Sequence, residues 1–125
     1  FEVEMRVDFS DPIGEQKFTF NADRDSFEKD IAPARSFNTF ENIDIAQKKG
    51  TVGSGYLDSH IIMHEGKVIN TELRYPDEFV RHKILDLIGD LYLLGYTLKG
   101  RVVANMTSHG YNQALVQKLH VALTR

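Results

Sequence analysis

The sequence predicts an α+β fold, a two-layer sandwich in which helices pack on a mainly antiparallel sheet, with a helix and hairpin insert. Three observations support this class. An alternating segment opens the chain, a long apolar helix is centred near residue 87, and strands and helices are interspersed without regular crossovers. With 125 residues, of which 42% are hydrophobic, the chain has the size of a single domain with its own core.

The first predicted elements are two strands. Residues 1–9 (FEVEMRVDF) alternate apolar and polar side chains with a period of two, which predicts a strand with one apolar face. The SDPIGEQ segment that follows contains Pro12 and Gly14 and predicts a turn. A second strand is then expected over residues 17–21 (KFTFN).

Two helices are expected next. Asp25 or Ser26 can cap a short helix over residues 27–32 (FEKDIA), which Pro33 ends. Residues 37–50 (FNTFENIDIAQKKG) predict a second helix that closes on two lysines and a glycine.

A link with two glycines, TVGSG at residues 51–55, separates these helices from a predicted hairpin. The hairpin strands are residues 56–63 (YLDSHIIM) and 67–70 (KVIN), and residues 64–66 (His-Glu-Gly) form its turn.

The last third of the chain predicts two helices and a strand between them. The first helix has Pro76 and Asp77 at its start and Gly95 at its end. The strand is residues 101–107 (RVVANMT), and an amphipathic helix follows over residues 112–123 (NQALVQKLHVAL).

The composition narrows the classes of function. A formal net charge of -3 argues against a nucleic-acid partner, which would usually need a basic face. No apolar run approaches the length needed to span a bilayer, so no transmembrane segment is expected. The chain has no Cys, which excludes a disulfide framework and thiolate chemistry.

Four polar residues interrupt the apolar helix of residues 79–95. His82, Lys83, Asp86 and Asp90 fall within an arc of about 100° on the helix surface. One interpretation is a solvated helix edge with a His–Asp pair one turn apart, worth about 0.3–0.5 kcal/mol. The other is a metal site, because an imidazole and a carboxylate with this spacing converge on one point and suit zinc. The spacing alone leaves both interpretations open.

A zinc site needs a third protein ligand, and other histidines are candidates for this role or for acid–base chemistry. His60 lies in the first predicted strand of the hairpin and His64 in its turn, and their spacing makes each a weak candidate for the missing ligand. His109 lies in MTSHGYN at the junction of a strand and a helix, where small neighbours leave an imidazole accessible. It is either an acid–base group or an ordinary exposed histidine.

Several segments resemble one enzyme family. DEFVRHKILDLIGDLYLLG, followed by LKG and then by SH and Asn112, resembles the second domain of the UDP-3-O-acyl-N-acetylglucosamine deacetylases, the zinc amidases of bacterial lipid A synthesis. DIAPARSF resembles the family segment that ends in Ala-Arg-Thr-Phe, and KKGTVGSGYLDSHIIM resembles its helix-to-hairpin insert. The resemblance implies that residues 1–125 form a single domain like the C-terminal half of these enzymes, with the N-terminal half absent from this chain.

The resemblance implies a zinc cofactor and a set of catalytic residues. His82 and Asp86 match two zinc ligands, and Lys83 matches a lysine that meets the substrate. His109 matches the catalytic histidine, and Asp90 matches the carboxylate that orients and charges it. A third zinc ligand and the general-base glutamate come from the N-terminal domain in this family. The isolated chain is therefore expected to bind zinc weakly and to turn over little.

The resemblance also implies a substrate, a UDP-linked acylated glucosamine, and a bacterial cytoplasmic location. Ser36 and Phe37 match a Thr-Phe pair that contacts the sugar, and Phe9 matches the aromatic residue under the uracil. The fatty acyl passage is implied to be lined by three residues, Ile43, Leu57 and Ile62.

Several positions depart from the family pattern, among them Asn42, which replaces an acidic residue near the acyl passage. Met106 stands where the family has a lysine thought to meet the nucleotide phosphates, and His60 stands where a small residue is usual. Two alternatives therefore accompany the deacetylase: a zinc amidase acting on another acylated amino sugar, and a non-catalytic binding module of the same fold.

Overall fold

The computed structural model describes residues 1–9, 13–50 and 59–124. The predicted link over residues 51–55 and Leu57 lie outside these ranges. The described strands are β1 (Glu2–Asp8), β2 (Glu15–Asn21), β3 (Phe37–Thr39), β4 (Ile61–His64), β5 (Lys67–Val68) and β6 (Arg101–Asn105). The described helices are α1 (Phe27–Asp30), α2 (Phe40–Lys48), α3 (Glu78–Leu91) and α4 (His109–Leu123), and a 3-10 turn at Tyr92–Leu94 extends α3.

The first sheet has the strand order β2-β1-β6, with β1 at its centre. Val3, Met5 and Val7 of β1 are completely buried and alternate with Glu4 and Arg6 on the other face. The period of two in the opening segment therefore sets which face of the sheet packs into the core.

Helices α3 and α4 cover the buried face of this sheet. Ile84, Leu87 and Leu91 of α3 lie in the same core as the inward residues of β1. Leu115 and Leu119 of α4 pack against that core from the side. The polar residues of α3 lie off this apolar stripe, which leaves them available to other partners.

The second sheet has the order β3-β4-β5 and carries the hairpin that the sequence predicts. The hairpin turn is confirmed: Glu65 and Gly66 both have positive φ, of 49° and 78°, as the two central residues of a type I′ turn require. In the same sheet, the residue pair Phe37 and Ile61 begins the parallel register between β3 and β4.

The predicted α+β class with helices packed on a sheet is confirmed, and both described sheets contain parallel as well as antiparallel strand pairs. In each described sheet one strand pair is antiparallel and one is parallel. The chain passes through α3 before it reaches β6, and it passes through α2 between β3 and β4. Helices in these connections allow the following strand to run in the same direction as its neighbour.

Two predicted helix boundaries were wrong. The helix predicted from residue 37 begins at Phe40, because residues 37–39 pair with β4 and the Thr39 hydroxyl caps the helix by accepting from the N–H of Asn42. The last helix begins at His109, because the Ser108 hydroxyl accepts from the N–H of Tyr111. Among the described residues, no helix combines the length and the apolar character needed to cross a bilayer.

Candidate active site

The structure brings His82 and Asp86 together on one side of α3. His82 Nε2 lies 3.2 Å from Asp86 Oδ1, and the two side chains are only 16% and 22% exposed. The second ring nitrogen of His82, Nδ1, donates to the carbonyl of Ala34 at 3.0 Å. The carbonyl can only accept, so Nδ1 carries a proton in this bond, and the ring directs Nε2 toward Asp86. The solvated-edge interpretation does not describe this pair.

The two groups change each other's proton affinity. Burial lowers the pKa of His82, but hydrogen bonds to Asp86 and to Ala34, together with the charge of Asp86, outweigh it and raise this pKa above 6.5. Burial raises the pKa of Asp86, and the hydrogen bond and charge of His82 outweigh it and leave this pKa below 3.8. Both shifts mean that a positive charge is stabilised between Nε2 of His82 and Oδ1 of Asp86.

This pair fits part of a zinc site. Two tetrahedral zinc ligands with bonds of about 2.0–2.1 Å lie roughly 3.3 Å apart, and Nε2 of His82 and Oδ1 of Asp86 are 3.2 Å apart. A backbone carbonyl that accepts the other ring N–H is a common support of a metal-bound histidine. Within the described ranges, no three His, Cys, Asp or Glu side chains form a metal-binding cluster. His60 and His64 are both in those ranges, so neither completes the site.

His109 faces the same place from the first turn of α4. Its Nδ1 donates to Oδ2 of Asp90 at 2.7 Å, and its Nε2 lies 3.9 Å from Oδ1 of Asp86. The His109 side chain is 63% exposed, whereas Asp90 is largely buried. An accessible imidazole with one nitrogen held by a buried carboxylate suits proton transfer at the other nitrogen.

Asn112 is a residue of this site that the sequence did not single out as functional. It lies one turn after His109 on α4, is 2% exposed, and donates from Nδ2 to Oδ2 of Asp90 at 3.0 Å. Asp90 Oδ2 therefore accepts from both α4 residues. One sequence feature could have indicated this role: Asn112 lies three residues after His109, which places both side chains on one face of a helix.

An aromatic group borders the His82 side of the site. The ring centre of Phe37 lies 5.3 Å from that of Phe9, 4.9 Å from that of Phe79 and 6.3 Å from that of His82. Lys83 Nζ lies 5.9 Å from the centre of the Phe37 ring, within cation–π range. The structure thus places Phe37 beside His82, with Phe9 and Lys83 against Phe37.

A surface cavity of about 270 Å³ opens beside these aromatic rings. Phe9 and Phe37 line one part of it, and Thr39, Met63 and His64 line another. His64 is held there by Glu41, whose Oε1 lies 2.8 Å from His64 Nδ1. The cavity is therefore continuous with the aromatic group that borders the site.

Three more residues that the sequence predicts as substrate contacts lie in or beside β3, α2 and β4: Ser36, Ile43 and Ile62. Ser36 precedes Phe37, and its carbonyl accepts from the N–H of Ile61 at 2.8 Å. Ile43 of α2 and Ile62 of β4 are both buried, and neither is among the residues that line the cavity. Their predicted role in an acyl passage stays a prediction.

The fold and site define a class of protein: an α+β domain with a histidine–carboxylate pair suited to a metal and a carboxylate-held histidine beside it. The UDP-3-O-acyl N-acetylglycosamine deacetylase family model matches residues 1–121. The chain belongs to this family.

Curated relatives agree with the family match. UDP-3-O-acyl-N-acetylglucosamine deacetylase from Acidithiobacillus ferrooxidans is 39% identical over 123 residues, which are 95% of this chain and 40% of that protein. The enzymes of the same name from Anaeromyxobacter dehalogenans and Synechocystis sp. are each 41% identical, over 121 and 108 residues. Those alignments cover 95% and 86% of this chain, and 39% of each relative. The chain thus spans about two fifths of the length of these relatives.

Proposed function

We propose that this chain is the metal-binding and proton-donating part of a zinc-dependent deacetylase. The proposed substrate is UDP-3-O-acyl-N-acetylglucosamine, and the proposed reaction removes its N-acetyl group in lipid A biosynthesis. One observation carries the proposal: His82 Nε2, Asp86 Oδ1 and His109 Nε2 converge, with successive separations of 3.2 Å and 3.9 Å. The names of the relatives support the substrate.

The proposed cofactor is zinc, and His82 and Asp86 would hold it. The chemistry that zinc supplies when bound is Lewis acidity, which polarises an amide carbonyl and makes water more acidic. The third ligand and a general-base glutamate would come from the N-terminal domain of the same enzyme, the proposed partner of this chain. That partnership accounts for a two-ligand site, because a catalytic zinc usually has three protein ligands.

His109 would act as the general acid. An amide nitrogen leaves readily only after it has been protonated, because an amide anion is far too basic a leaving group. The imidazolium of His109 would give the proton on Nε2 to that nitrogen and become neutral. Asp90 would keep Nδ1 protonated throughout, since its Oδ2 accepts from Nδ1 at 2.7 Å.

The substrate residues would surround this centre. Lys83, Ser36 and Phe37 would contact the sugar, and Phe9 would stack on the uracil, because an aromatic face suits a flat base. The cavity beside Phe9 and Phe37 supports this placement. The fatty acyl chain would pass three residues, Ile43, Leu57 and Ile62. The proposal extends to a location in the bacterial cytoplasm, which rests on the family resemblance alone.

A zinc amidase for another acylated amino sugar is the second candidate. Met106, at the position of the phosphate-binding lysine, carries no charge, and its side chain accepts from the backbone N–H of Asp8. An uncharged side chain there removes one attraction for a diphosphate. This candidate predicts hydrolysis of an amino sugar that carries no nucleotide.

The test measures acetate release by the protein at its native length, from the UDP-linked substrate and from the acylated amino sugar without UDP. The proposal predicts turnover of the UDP-linked substrate, loss of at least a hundredfold in His109→Ala, and full activity in the control His120→Ala on the exposed face of the same helix. Preference for the sugar without UDP would favour the second candidate. A folded protein with no turnover of either would favour a binding module.

A further inference from the structure

We propose that the buried pair Glu78–Arg35 is a positioning device that holds the His82 ring in the orientation that a metal requires and favours the tautomer with a proton on Nδ1. Neither residue belongs to the catalytic set that the sequence predicts. The inference rests on the proposed function, because it assumes that His82 binds a metal. The inference applies to the metal-free protein as well, because these hydrogen bonds orient His82 before a metal binds.

Glu78 has an unusual environment for a carboxylate. Its side chain is 0% exposed and lies at the first turn of α3. Oε2 accepts from the backbone N–H and from Nε of Arg35, both at 2.9 Å. Oε1 accepts from Nη2 of Arg35 at 3.2 Å and from the backbone N–H of Arg74 at 2.7 Å. Four donors on one buried carboxylate fix its position and its ionised state.

The Arg35 guanidinium is fixed as firmly as the carboxylate. Nη1 donates to the Thr71 hydroxyl at 3.0 Å, and Nη2 donates to the carbonyl of Glu72 at 2.8 Å. The planar fork thus joins Glu78 to the segment that leads into α3. The pair cannot turn without breaking several bonds at once.

One peptide group connects this pair to His82. The N–H that Glu78 accepts belongs to Arg35, and the carbonyl that His82 Nδ1 binds belongs to Ala34. These are the two ends of the single peptide unit between Ala34 and Arg35. A trans peptide is planar, with its N–H and C=O pointing in opposite directions, so holding one end aims the other.

The spacing on α3 matches this connection. Glu78 and His82 are four residues apart, which puts them on the same helix face, one turn apart. The peptide of Ala34 and Arg35 lies between them and accepts from His82 at one end while it donates to Glu78 at the other. A carboxylate that supports a metal-bound histidine is common. Here the carboxylate acts on His82 through a peptide group rather than directly.

The consequence for His82 is a fixed ring orientation and a preference for one tautomer. The aimed carbonyl accepts from Nδ1 and directs Nε2 toward Asp86, so the tautomer with its proton on Nδ1 presents the Nε2 lone pair where a metal would bind. If the carbonyl turned away, the ring could rotate or carry its proton on Nε2, and it would then not bind a metal there. An ion pair that served stability alone would have no effect on the His82 tautomer.

The test compares Glu78→Gln with Asp77→Asn in the protein at its native length. Asp77 is the neighbouring residue, and its carboxylate pairs with Arg81 at 2.7 Å without touching the peptide of Ala34 and Arg35. The first readout is the tautomer of His82 in the metal-free protein, from ring nitrogen chemical shifts at a pH where the ring is neutral. The second readout is the zinc Kd from competition with a chelator.

We expect Glu78→Gln to lower the fraction of the Nδ1–H tautomer below its wild-type value and to raise the zinc Kd about tenfold. Asp77→Asn should leave both readouts at their wild-type values. A wild-type tautomer and Kd in Glu78→Gln, or equal changes in the two variants, would overturn the positioning role. If Glu78→Gln does not fold, Arg35→Lys replaces it. That variant keeps the charge but loses the fork, and a zinc Kd less than about threefold above wild type would then overturn the role.

A third variant separates this inference from the proposed function. His82→Ala should weaken zinc binding at least a hundredfold if the ring is a ligand. Unchanged zinc binding in His82→Ala would contradict the proposed metal site. The tautomer of His82 in Glu78→Gln would still test the positioning role, because that readout needs no zinc.

Discussion

His109 and Asp90 lie on different helices, and a 2.7 Å hydrogen bond joins Nδ1 of the imidazole to Oδ2 of the carboxylate. The contact sits where α3 and α4 pack together at the edge of the core. It fixes one nitrogen of His109 and leaves the other directed toward Asp86, at 3.9 Å. The packing of the two helices therefore sets the direction in which the second ring nitrogen of His109 points.

Replacing Asp90 with Asn should impair the proton transfer. An Asn side chain carries no negative charge, so its bond to Nδ1 of His109 is weaker and the ring is held less firmly in its catalytic orientation. We expect kcat of the native-length enzyme to fall about 10²- to 10⁴-fold, with a much smaller change in KM. Steady-state kinetics of Asp90→Asn measure this. Wild-type kcat in a protein that retains its zinc would contradict the role of Asp90.

Replacing Asn112 with Ala should affect both stability and catalysis. The change removes a buried donor to Asp90 and leaves a small cavity, which together cost about 1–3 kcal/mol in the free energy of unfolding. We also expect a lower kcat, because Asp90 Oδ2 loses one of the two bonds that position it. The exposed neighbour Gln113→Ala is the matched control, and both quantities should stay at wild type there. Equal kcat in the two variants would show that Asn112 serves stability only.

The free energy of unfolding should decrease at acidic pH because Glu78 becomes protonated. Burial raises the pKa of this carboxyl, but its bonds to Arg35 and Arg74 outweigh burial and leave the pKa below 4.5 in the folded protein. The unfolded chain then takes up the proton first, so the stabilisation is complete above pH 4.5 and is lost as the pH falls toward the folded pKa. Urea unfolding at several pH values should show a shallower acid-side slope in Glu78→Gln than in wild type. Identical slopes would contradict this linkage.

Removing zinc should lower the thermal stability of the native-length protein. A ligand that binds only the folded state at a hundred times its Kd adds about 2.7 kcal/mol to the free energy of unfolding. Chelation should therefore lower Tm by several degrees in wild type and in the control His120→Ala. His82→Ala should show almost no further decrease on chelation. A full chelator effect in His82→Ala would place the metal elsewhere.

Regular periodicity was the most informative signal in the sequence. The alternation of Val3, Met5 and Val7 correctly predicted the buried face of β1. The polar stripe on the apolar helix correctly singled out His82 and Asp86 as close neighbours. Both inferences rest on local geometry, which a helix or a strand fixes whatever it packs against.

Features that depend on tertiary pairing could not be predicted from the sequence. Residues 37–39 have no local strand signal strong enough to outweigh the helix that follows, and only their pairing with β4 makes them extended. The bonds of Glu78 to Arg35, and of Asn112 to Asp90, join residues 43 and 22 positions apart. Composition and spacing do not reveal such contacts, whereas the three-dimensional packing does.

The central claim is that His82 and Asp86 hold a metal on α3. Anomalous diffraction at the zinc edge, from crystals of the native-length protein, tests it most directly. We expect one peak about 2.0–2.2 Å from both His82 Nε2 and Asp86 Oδ1, with His109 nearby and not a ligand. A zinc peak held without either of these two side chains would contradict it.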